Sequence, residues 1–589
     1  MKADALLVHI ATAYINHGVR NIEPQLGQYY IAEYAHRHGF EVRVKKFLSS
    51  EPTISSLQRL LEELECDIVG FYVDCMNQWT IRRLSLYLKR AKPNLFIIIG
   101  GPQVTGAPHQ ALHRISAADI AIVGEGEIPF TQLLSIDIAD KQSLQAIDGI
   151  TYRDEEGNIR QTKSPLQTQA LIDFPFPRRL DYTLDHSVIF DQISTGRGCI
   201  GRCAFCFEGS KTNNVLRLRP VEDVIEEIDY VVTHLKGQNH FCFLDDTFII
   251  NPDRTKRICQ HMIERYDGKI KWFCEARVDI LYQHLDLIPL LVKAGLLRVQ
   301  LGGESGSQTV LDAYKKHMKV NQLKAVVKAL YENGVPSIYI NFIIGGAFET
   351  LNTFNETLEL ALELMEIAPG CAEVGSSQFT PYVGTPMYNH PELYDIKIID
   401  KHTLSGLDGY MSFAETSKLN RYKVYHLFSV FEAETAKKLD SLCEQLSYEQ
   451  VRERFHMHEE FGLEDNWIKR LRTIEAIDKY FQALSEAGFF SIRDLSLETI
   501  QGLVPHRTKE PISDGEAFYR NTYKGKYIKT TDLEESVLLL SSGKITFNEI
   551  VYLLGKKKEY ASRPNLEQEI FDIYRQFDEE YLVVWKQDL

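Results

Sequence analysis

The sequence lacks the long apolar runs of membrane proteins. Its longest such stretches, for example the one that ends at Gly100, stop far short of the roughly 18 residues that span a bilayer. The N-terminus has one lysine before its first apolar run and no small-residue cleavage site, so it predicts a strand and not a signal peptide. We therefore expect a cytoplasmic protein without membrane segments.

An excess of basic charge is also missing. The 589 residues include 66 Lys and Arg against 81 Asp and Glu, a formal net charge of −15. This balance argues against a nucleic-acid partner, which would require clustered lysine and arginine. The 44% of hydrophobic residues is ordinary for globular proteins and excludes a mostly disordered chain. The length predicts about three or four domains.

Cysteine is sparse, and most of it is scattered. Seven of the ten cysteines lie singly in apolar surroundings, where we expect them to be buried and inert: Cys66, Cys75, Cys242, Cys259, Cys274, Cys371 and Cys443. Without a secretion signal, this usage does not predict a disulfide framework. The remaining three, Cys199, Cys203 and Cys206, lie close together and require another explanation.

Residues 1–135 alternate short apolar runs with helical patterns. Such alternation predicts a doubly wound, Rossmann-like parallel sheet, whose ligand crevice lies at the carboxyl ends of the strands. Glycines stand where these predicted strands end: Gly70, Gly100, Gly101, Gly124 and Gly126. Residues 136–186 predict a linker with a hairpin around Gly157.

Residues 187–395 contain six further strand–helix repeats. They predict a (β/α)6 TIM barrel, complete or partial, with its active site at the carboxyl ends of the strands. Residues 396–510 have a helical and charged pattern without recognisable chemistry. Residues 511–589 begin with alternating residues and continue with two or three amphipathic helices. The fold class is therefore α/β.

The three clustered cysteines follow a predicted buried strand. Cys199, Cys203 and Cys206 would place three thiolates on one tight loop, enough for three corners of an iron–sulfur cube. No fourth thiolate lies nearby, so one iron would stay open to an external ligand. A structural zinc site normally closes with a fourth Cys or His, which makes zinc the weaker interpretation.

This cysteine spacing resembles that of radical S-adenosylmethionine (SAM) enzymes, and the resemblance covers about residues 188–390. It implies a 4Fe–4S cluster on Cys199, Cys203 and Cys206, with SAM chelating the open iron through its amino and carboxylate groups. It also implies an external electron donor of the flavodoxin or ferredoxin type. Electron transfer to SAM would then release a 5′-deoxyadenosyl radical.

Later segments are similar to the strands of the same family, although Ala347 and Phe348 replace a frequent Pro-Gly pair. The resemblance implies SAM contacts from Phe205, Glu275, Arg277, Gly303, Glu304, Ser305, Asn341 and Gly345. The charged residues among them lie at or near buried strand ends, where an isolated charge is costly unless it has a partner. SAM could supply those partners; charge pairing that only closes the barrel is the alternative.

The N-terminal domain resembles the cobalamin-binding domain that is fused to many radical SAM enzymes. The resemblance implies cobalamin contacts from Gly101, Gly124, Glu125 and Gly126, and an approach to the lower corrin face from residues 74–79. The Asp-x-His-x-x-Gly signature that supplies a histidine to cobalt is absent from residues 1–135. Any cobalt would therefore lack a protein histidine, or the domain has lost the cofactor.

The C-terminal segment resembles the small winged-helix-like module that binds leader peptides in pathways of ribosomally made, modified peptides. Such a module adds an extended peptide as a strand to an exposed sheet edge. Lys524, Lys526 and Lys529 could meet an acidic leader, but edge lysines also protect against aggregation. A capping domain without a peptide role is the alternative.

The favoured function is a cobalamin-dependent radical SAM methyltransferase that methylates an unactivated carbon of a peptide or another natural product. One alternative is a radical SAM enzyme for cross-linking, rearrangement or oxidation with a vestigial cobalamin-type domain. Another is a methylthio-type enzyme of tRNA, against which the acidic charge counts. The last is a non-catalytic iron–sulfur or metal-bound module that binds peptides.

Overall fold

The computed structural model describes residues 2–11, 26–48, 53–163, 171–178, 192–208, 215–234, 240–399, 412–461, 463, 465–471, 484–508, 512–513, 518–521 and 527–587. The chain forms two compact units, Met1–Ala436 and Lys437–Leu589. The predicted domain boundary at 186/187 and the side chains of Lys524 and Lys526 lie outside the described residues.

The first sheet of unit 1 has seven strands in the order β2-β1-β3-β4-β5-β6-β7. They are β1 (Ala5–Ala11), β2 (Val42–Leu48), β3 (Ile68–Tyr72), β4 (Phe96–Gly100), β5 (Ile120–Ile122), β6 (Ile150–Arg153) and β7 (Ile159–Gln161). Strands β1 to β5 are parallel. The chain leaves β1 on both sides, so the ligand crevice is expected at the switch point between β1 and β3.

Helices cover both faces of this sheet. They are α1 (Leu26–Arg37), α2 (Thr53–Glu63), α3 (Gln78–Ala91), α4 (Pro102–Gly106), α5 (Pro108–Arg114), α6 (Glu127–Leu134) and α7 (Lys141–Leu144). Alternate residues of β1 enter two different cores: Leu6, Val8 and Ile10 join one, and Ala5 and Leu7 join the other. This two-sided burial confirms the predicted doubly wound sheet.

The hairpin predicted around Gly157 is formed by β6 and β7, which pair antiparallel. Strand β6 also pairs antiparallel with β5. This part of the predicted linker therefore extends the first sheet.

The second sheet of unit 1 has six parallel strands in the order β15-β14-β13-β12-β11-β8. They are β8 (Gln192–Ile193), β11 (His240–Phe243), β12 (Lys271–Ala276), β13 (Leu296–Glu304), β14 (Ser337–Ile344) and β15 (Ala372–Gln378). Between β8 and β11 lies an antiparallel ribbon, β9 (Gly196–Arg197) and β10 (Arg217–Leu218). Parallel strands that pair in sequential order form the wall of a barrel. Within the described part of the chain, the first strand, β8, does not pair with the last strand, β15, so the barrel is open. The predicted partial barrel is confirmed.

Helices follow the barrel strands: α8 (Val221–His234), α9 (Pro252–Tyr266), α10 (Val278–Gln283), α11 (Ile288–Lys293), α12 (Gln308–Ala313), α13 (Val320–Glu332), α14 (Leu351–Ile367), α15 (Pro386–Asn389) and α16 (Arg421–Gln445). A short antiparallel pair, β16 (Lys397–Ile398) and β17 (Ala414–Glu415), lies between the last two. No helix among the described residues is both long and apolar enough to cross a membrane.

Unit 2 mixes helices with short antiparallel sheets. Its elements are α17 (Tyr448–Phe461), α18 (Asn466–Leu471), α19 (Leu497–Ile500), β18 (Leu503–Arg507), β19 (Ile512–Ser513), β20 (Phe518–Asn521), β21 (Tyr527–Lys529), α20 (Asp532–Leu540), α21 (Phe547–Gly555), α22 (Leu566–Glu579) and β22 (Val583–Gln587). Three antiparallel strands, β19 to β21, are followed by three helices, as expected for a winged-helix-like module. Strand β18 pairs with β22, and the predicted boundary at 510/511 lies outside the described residues. Leader-peptide binding by this segment stays a prediction.

Candidate active site

A cavity of about 430 Å³ lies where the carboxyl ends of the first sheet meet the beginning of the barrel. Ligand pockets usually measure about 300–1,000 Å³. The lining includes, from the first domain, Gly70, Tyr72, Gly101, Gly124, Glu125, Gly126 and Glu127, and from the barrel domain Ser194, Gly196, Arg197, Gly198, Phe207, Leu244, Asp245 and Asp246. All four residues that the sequence assigned to cobalamin thus line one cavity at the predicted switch point.

Close packing surrounds the glycine at two of these positions. Gly101 has φ +108°, and a Cβ there would lie 2.7 Å from the Val73 carbonyl oxygen. A Cβ on Gly126 would lie 2.6 Å from Ile31 Cδ1. Backbone can therefore approach a large ligand closely along this edge.

The segment expected at the lower corrin face, residues 74–79, forms a hydrogen-bonded turn, and its approach to the corrin stays a prediction. The Asp74 carboxylate accepts hydrogen bonds from the amides of Met76 at 2.7 Å and Asn77 at 2.8 Å. Burial raises the pKa of Asp74. Among the described residues that line the cavity, Tyr72 comes from this region and residues 74–79 do not. The segment closes the turn that follows β3.

The three cysteines follow β9 on one loop. Cys199 and Cys203 are buried, and Cys206 is partly exposed. The Gly201 amide donates to Cys199 Sγ at 3.3 Å, and the Cys206 amide donates to the Cys203 carbonyl at 3.1 Å. Burial raises the pKa of the Cys199 thiol. The loop offers the donor set of an iron–sulfur cube with three protein ligands, and the buried thiols fit that group.

No group of three or more His, Cys, Asp or Glu side chains within the described residues is arranged around the position of a single metal ion.

Arg277 lies directly against the cysteine loop. Its Nη1 is 3.8 Å from Cys203 Sγ, and its Nη2 donates to the Asp279 carboxylate at 2.8 Å and to the Lys316 carbonyl at 3.2 Å. A Cβ on Gly201 would be 2.4 Å from Arg277 Nη1, so a side chain at this position would displace the guanidinium. The structure therefore places Arg277 where its charge offsets that of thiolates.

Lys316 completes this group, and the sequence analysis missed it. Its Nζ lies 2.6 Å from Glu304 Oε1, and both side chains are buried. Burial lowers the pKa of Lys316, but the carboxylate of Glu304 and the thiol of Cys203 outweigh it, so the pKa is raised. In the sequence, Lys316 is part of a run with Lys315 and His317 that has the pattern of a solvated turn. Both neighbours have positive φ, +54° and +57°, so the turn that carries Lys316 inward is left-handed on both sides.

Glu275 lies beside this pair. Burial raises its pKa to about 7, with Lys316 lowering it and Glu304 raising it further. Gln300 Nε2 donates to its carboxylate at 3.1 Å. Arg277, Glu275, Glu304 and Lys316 are named here the charged cluster; it packs behind the cysteine loop.

The other residues assigned to SAM surround the charged cluster. The Phe205 ring lies 5.9 Å from Lys316 Nζ. Ser305 Oγ is 3.0 Å from the Thr357 hydroxyl and so connects β13 to α14. A Cβ on Gly303 would be 2.7 Å from Ile340 Cγ2.

Asn341 and Gly345 belong to β14 and its end. Asn341 pairs with Gly302 of β13 and Gly375 of β15 in the sheet register. The Gly345 amide donates to the Glu349 carboxylate. None of the eight residues assigned to SAM is among the described residues that line the 430 Å³ cavity. Their contact with SAM stays a prediction.

Asp245 holds the start of the cysteine loop. Its carboxylate accepts from the Thr195 amide at 2.6 Å and from the Gly196 amide at 3.3 Å. It also binds the Thr195 hydroxyl. Burial raises the pKa of Asp245. This carboxylate therefore fixes the backbone between β8 and β9.

Comparison with known proteins agrees with this geometry. Residues 193–361 match the family model of the radical SAM superfamily, and residues 14–134 match that of the B12 binding domain. The chain combines a radical SAM domain with a B12-binding domain. These two domains imply a radical SAM enzyme with a 4Fe–4S cluster, SAM and cobalamin as cofactors.

Individual relatives are more distant. An uncharacterised methyltransferase of Pyrococcus horikoshii, PH0819, is 27% identical over 374 residues, which cover 62% of this chain and 78% of that protein. The anaerobic magnesium-protoporphyrin IX monomethyl ester cyclase of Cereibacter sphaeroides is 26% identical over 357 residues, 58% of this chain and only 56% of the cyclase.

Among solved structures, the cobalamin-dependent SAM radical enzyme OxsB with aqua-cobalamin and SAM bound has a TM-score of 0.59. It is 15% identical, and the match covers 98% of this chain and 84% of OxsB. At this identity the likeness concerns the fold.

Proposed function

We propose that the chain is a radical SAM C-methyltransferase that uses cobalamin and acts on a small molecule or a peptide. The observation that carries the proposal is the shared cavity. Its glycine-rich side belongs to the B12-binding domain, and its other side includes Ser194, Gly196, Arg197 and Gly198, the last of which directly precedes Cys199. One cavity therefore joins the two domains whose cofactors such a reaction requires.

When bound, the cluster with SAM supplies a carbon-centred radical and the corrin carries a methyl group. The chain's own residues hold and shield these groups. Cys199, Cys203 and Cys206 would ligate the cluster, and the Arg277 guanidinium would offset its negative charge. Phe207 and Leu244 line the cavity with apolar surface and would keep water from reactive carbon.

The charged cluster suits the amino-acid end of SAM. Glu304 already binds an ammonium, that of Lys316, in a buried position beside the cysteine loop. A carboxylate so placed can bind the SAM ammonium, and Lys316 and Arg277 provide cations for the SAM carboxylate. These roles are part of the proposal.

A second candidate function is radical chemistry without methyl transfer, such as ring closure or oxidation. It is favoured by the similarity to a cyclase at almost the same identity as to a methyltransferase. The two candidates differ in the fate of the SAM methyl group.

The deciding experiment requires no substrate. The full chain is reconstituted without oxygen with iron and sulfide, then given hydroxocobalamin, a reductant and SAM that is deuterated in its methyl group. We expect about four irons and about one corrin per chain, with deuterium recovered in the corrin fraction. SAM cleavage with an unlabelled corrin would contradict methyl transfer and favour the second candidate.

The matched controls are two cysteine variants. Cys203→Ala should lose the iron and SAM cleavage but still take up the corrin, because the corrin side of the cavity belongs to the other domain. Cys371→Ala changes a cysteine that is distant from the loop in the sequence, and it should retain the iron, SAM cleavage and corrin uptake. Iron retained at the native level in Cys203→Ala would overturn the assignment of the loop.

A further inference from the structure

Two carboxylates of the B12-binding domain meet two guanidinium groups of the barrel domain at the edge of the cavity. Arg197 Nη2 lies 2.6 Å from Glu127 Oε1, and Arg197 Nη1 lies 3.4 Å from Glu125 Oε2. Arg217 also binds Glu125. Glu125, Glu127, Arg197 and Arg217 are named here the interdomain clamp. The two negative charges of the clamp balance its two positive charges.

The interdomain clamp is largely removed from water. The side chain of Glu127 is 4% exposed, and those of the other three are between 13% and 19% exposed. The Arg197 guanidinium also lies 4.9 Å from the ring centre of Tyr30 and 5.1 Å from that of Phe174. Buried, charge-assisted contacts of this kind are strong and depend on geometry.

Each half of the clamp belongs to a loop that serves one cofactor. Glu125 lies between Gly124 and Gly126 in the cavity lining, and Glu127 is the first residue of α6. Arg197 ends β9, two residues before Cys199, and pairs in register with Arg217 of β10. The clamp therefore joins the glycine loop directly to the ribbon that leads into the cysteine loop.

We propose that the interdomain clamp couples the two cofactor sites, so that a corrin in the cavity raises the affinity for SAM at the cysteine loop. A bound corrin would fix the position of the loop that carries Glu125 and Glu127. Through the interdomain clamp, this loop would fix Arg197 and so hold the cysteine loop in the form that binds SAM. Linkage requires SAM to raise the affinity for the corrin by the same factor. Arg197 is thus a positioning residue, and the inference rests on the proposed use of both cofactors.

The test measures binding and not turnover. SAM dissociation constants of the full, reconstituted chain are determined by equilibrium dialysis with and without saturating hydroxocobalamin, and SAM contact is checked by electron paramagnetic resonance of the reduced cluster. We expect the corrin to tighten SAM binding by about fivefold or more. In Arg197→Gln the factor should fall to near one, although iron content and both single affinities remain measurable.

Two variants make the result specific. Glu127→Gln removes the same contact from the other side and should lose the coupling too, which keeps the inference testable if Arg197→Gln does not fold. Arg160→Gln breaks a contact of similar length, 2.7 Å to Asp154, at an exposed position on the β6–β7 hairpin and should retain the native factor.

The outcomes separate the inference from the proposed function. A native chain that binds both ligands without mutual effect would overturn the inference and leave the proposed function standing. Native coupling retained in both clamp variants would overturn it as well. A native chain that takes up no corrin would contradict the proposed function itself.

Discussion

The Lys316 ammonium and the Glu304 carboxylate lie 2.6 Å apart behind the cysteine loop, almost out of reach of water. Burying two charges costs desolvation energy, and their mutual attraction offsets it only while both are present. Glu304 also has φ +59°, a conformation that is unusual for a residue with a side chain. Strained backbone and buried charge at one residue are typical of functional sites.

We expect Lys316→Met to lower the free energy of unfolding of unit 1 by about 3–5 kcal/mol, because Glu304 would be left as an unpaired buried charge. Urea unfolding of the full chain measures it. The matched control is Lys328→Met, which breaks an exposed pair with Glu332 on α13 and should cost less than about 0.5 kcal/mol.

A double variant separates charge from packing. Lys316→Met combined with Glu304→Leu should be less destabilised than the sum of the two single variants, since no unpaired charge remains. Additive losses, or a Lys316→Met variant as stable as Lys328→Met, would contradict the account of this ion pair.

At the scale of elements, the turn between β14 and α14 depends on one carboxyl group. The Glu349 carboxylate accepts the Gly345 amide, and its other oxygen, Oε1, has no hydrogen-bond partner among the described residues. The Tyr314 hydroxyl also has no hydrogen-bond partner among the described residues, and a Cβ on Gly346 would lie 1.8 Å from it. Burial raises the pKa of Glu349 from its usual 4.5 to about 8, although the amides of Gly345 and Gly346 lower it.

This pKa predicts a pH dependence. Between about pH 5 and pH 8 the unfolded chain loses the Glu349 proton that the folded chain retains, so the stabilisation is complete below the usual pKa and is lost as the pH rises through the folded pKa. We expect the melting temperature of the native chain to fall more steeply over this range than that of Glu349→Gln.

Thermal unfolding at several pH values provides the measurement. Glu359→Gln, at an exposed position on α14, the helix that follows this turn, should retain the native slope. Identical slopes for the native chain and Glu349→Gln would show that the carboxyl group ionises freely in the folded state.

On the scale of the whole molecule, both compact units contain fully buried tryptophans, Trp272 in unit 1 and Trp467 and Trp585 in unit 2. Trp272 of β12 packs against Phe243 and Phe248 in unit 1, whereas Trp585 of β22 packs against Tyr574 in unit 2. Separate cores allow one unit to open without the other.

We expect Trp585→Ala to destabilise unit 2 by about 3–5 kcal/mol through the cavity it leaves. Hydrogen exchange followed by mass spectrometry should show lost protection across residues 484–587, with iron content unchanged. Trp272→Ala should instead lose protection in unit 1 together with iron, while residues 484–587 stay protected. Protection lost in both units of either variant would mean that the chain unfolds as a single unit.

The spacing of Cys199, Cys203 and Cys206 was sufficient to predict the cluster loop, because ligands on one loop are local in sequence. The alternation of short strand patterns with helical patterns likewise predicted both sheets, and the glycines at strand ends predicted the cavity lining at Gly101 and Gly126. Each of these signals acts over a few residues, where periodicity and turn chemistry are decided by the chain itself.

Tertiary structure alone decided which charges meet. The contact of Arg277 with Cys203, the burial of Lys316 against Glu304, and the pairing of Arg197 with Glu127 each join residues from different elements. In the sequence, such charged residues look the same whether solvated or buried, since hydrophobic periodicity does not report on them. These charged groups acquire their partners only when the elements that carry them fold together, and that arrangement raises the pKa values of Arg277, Lys316 and Arg197.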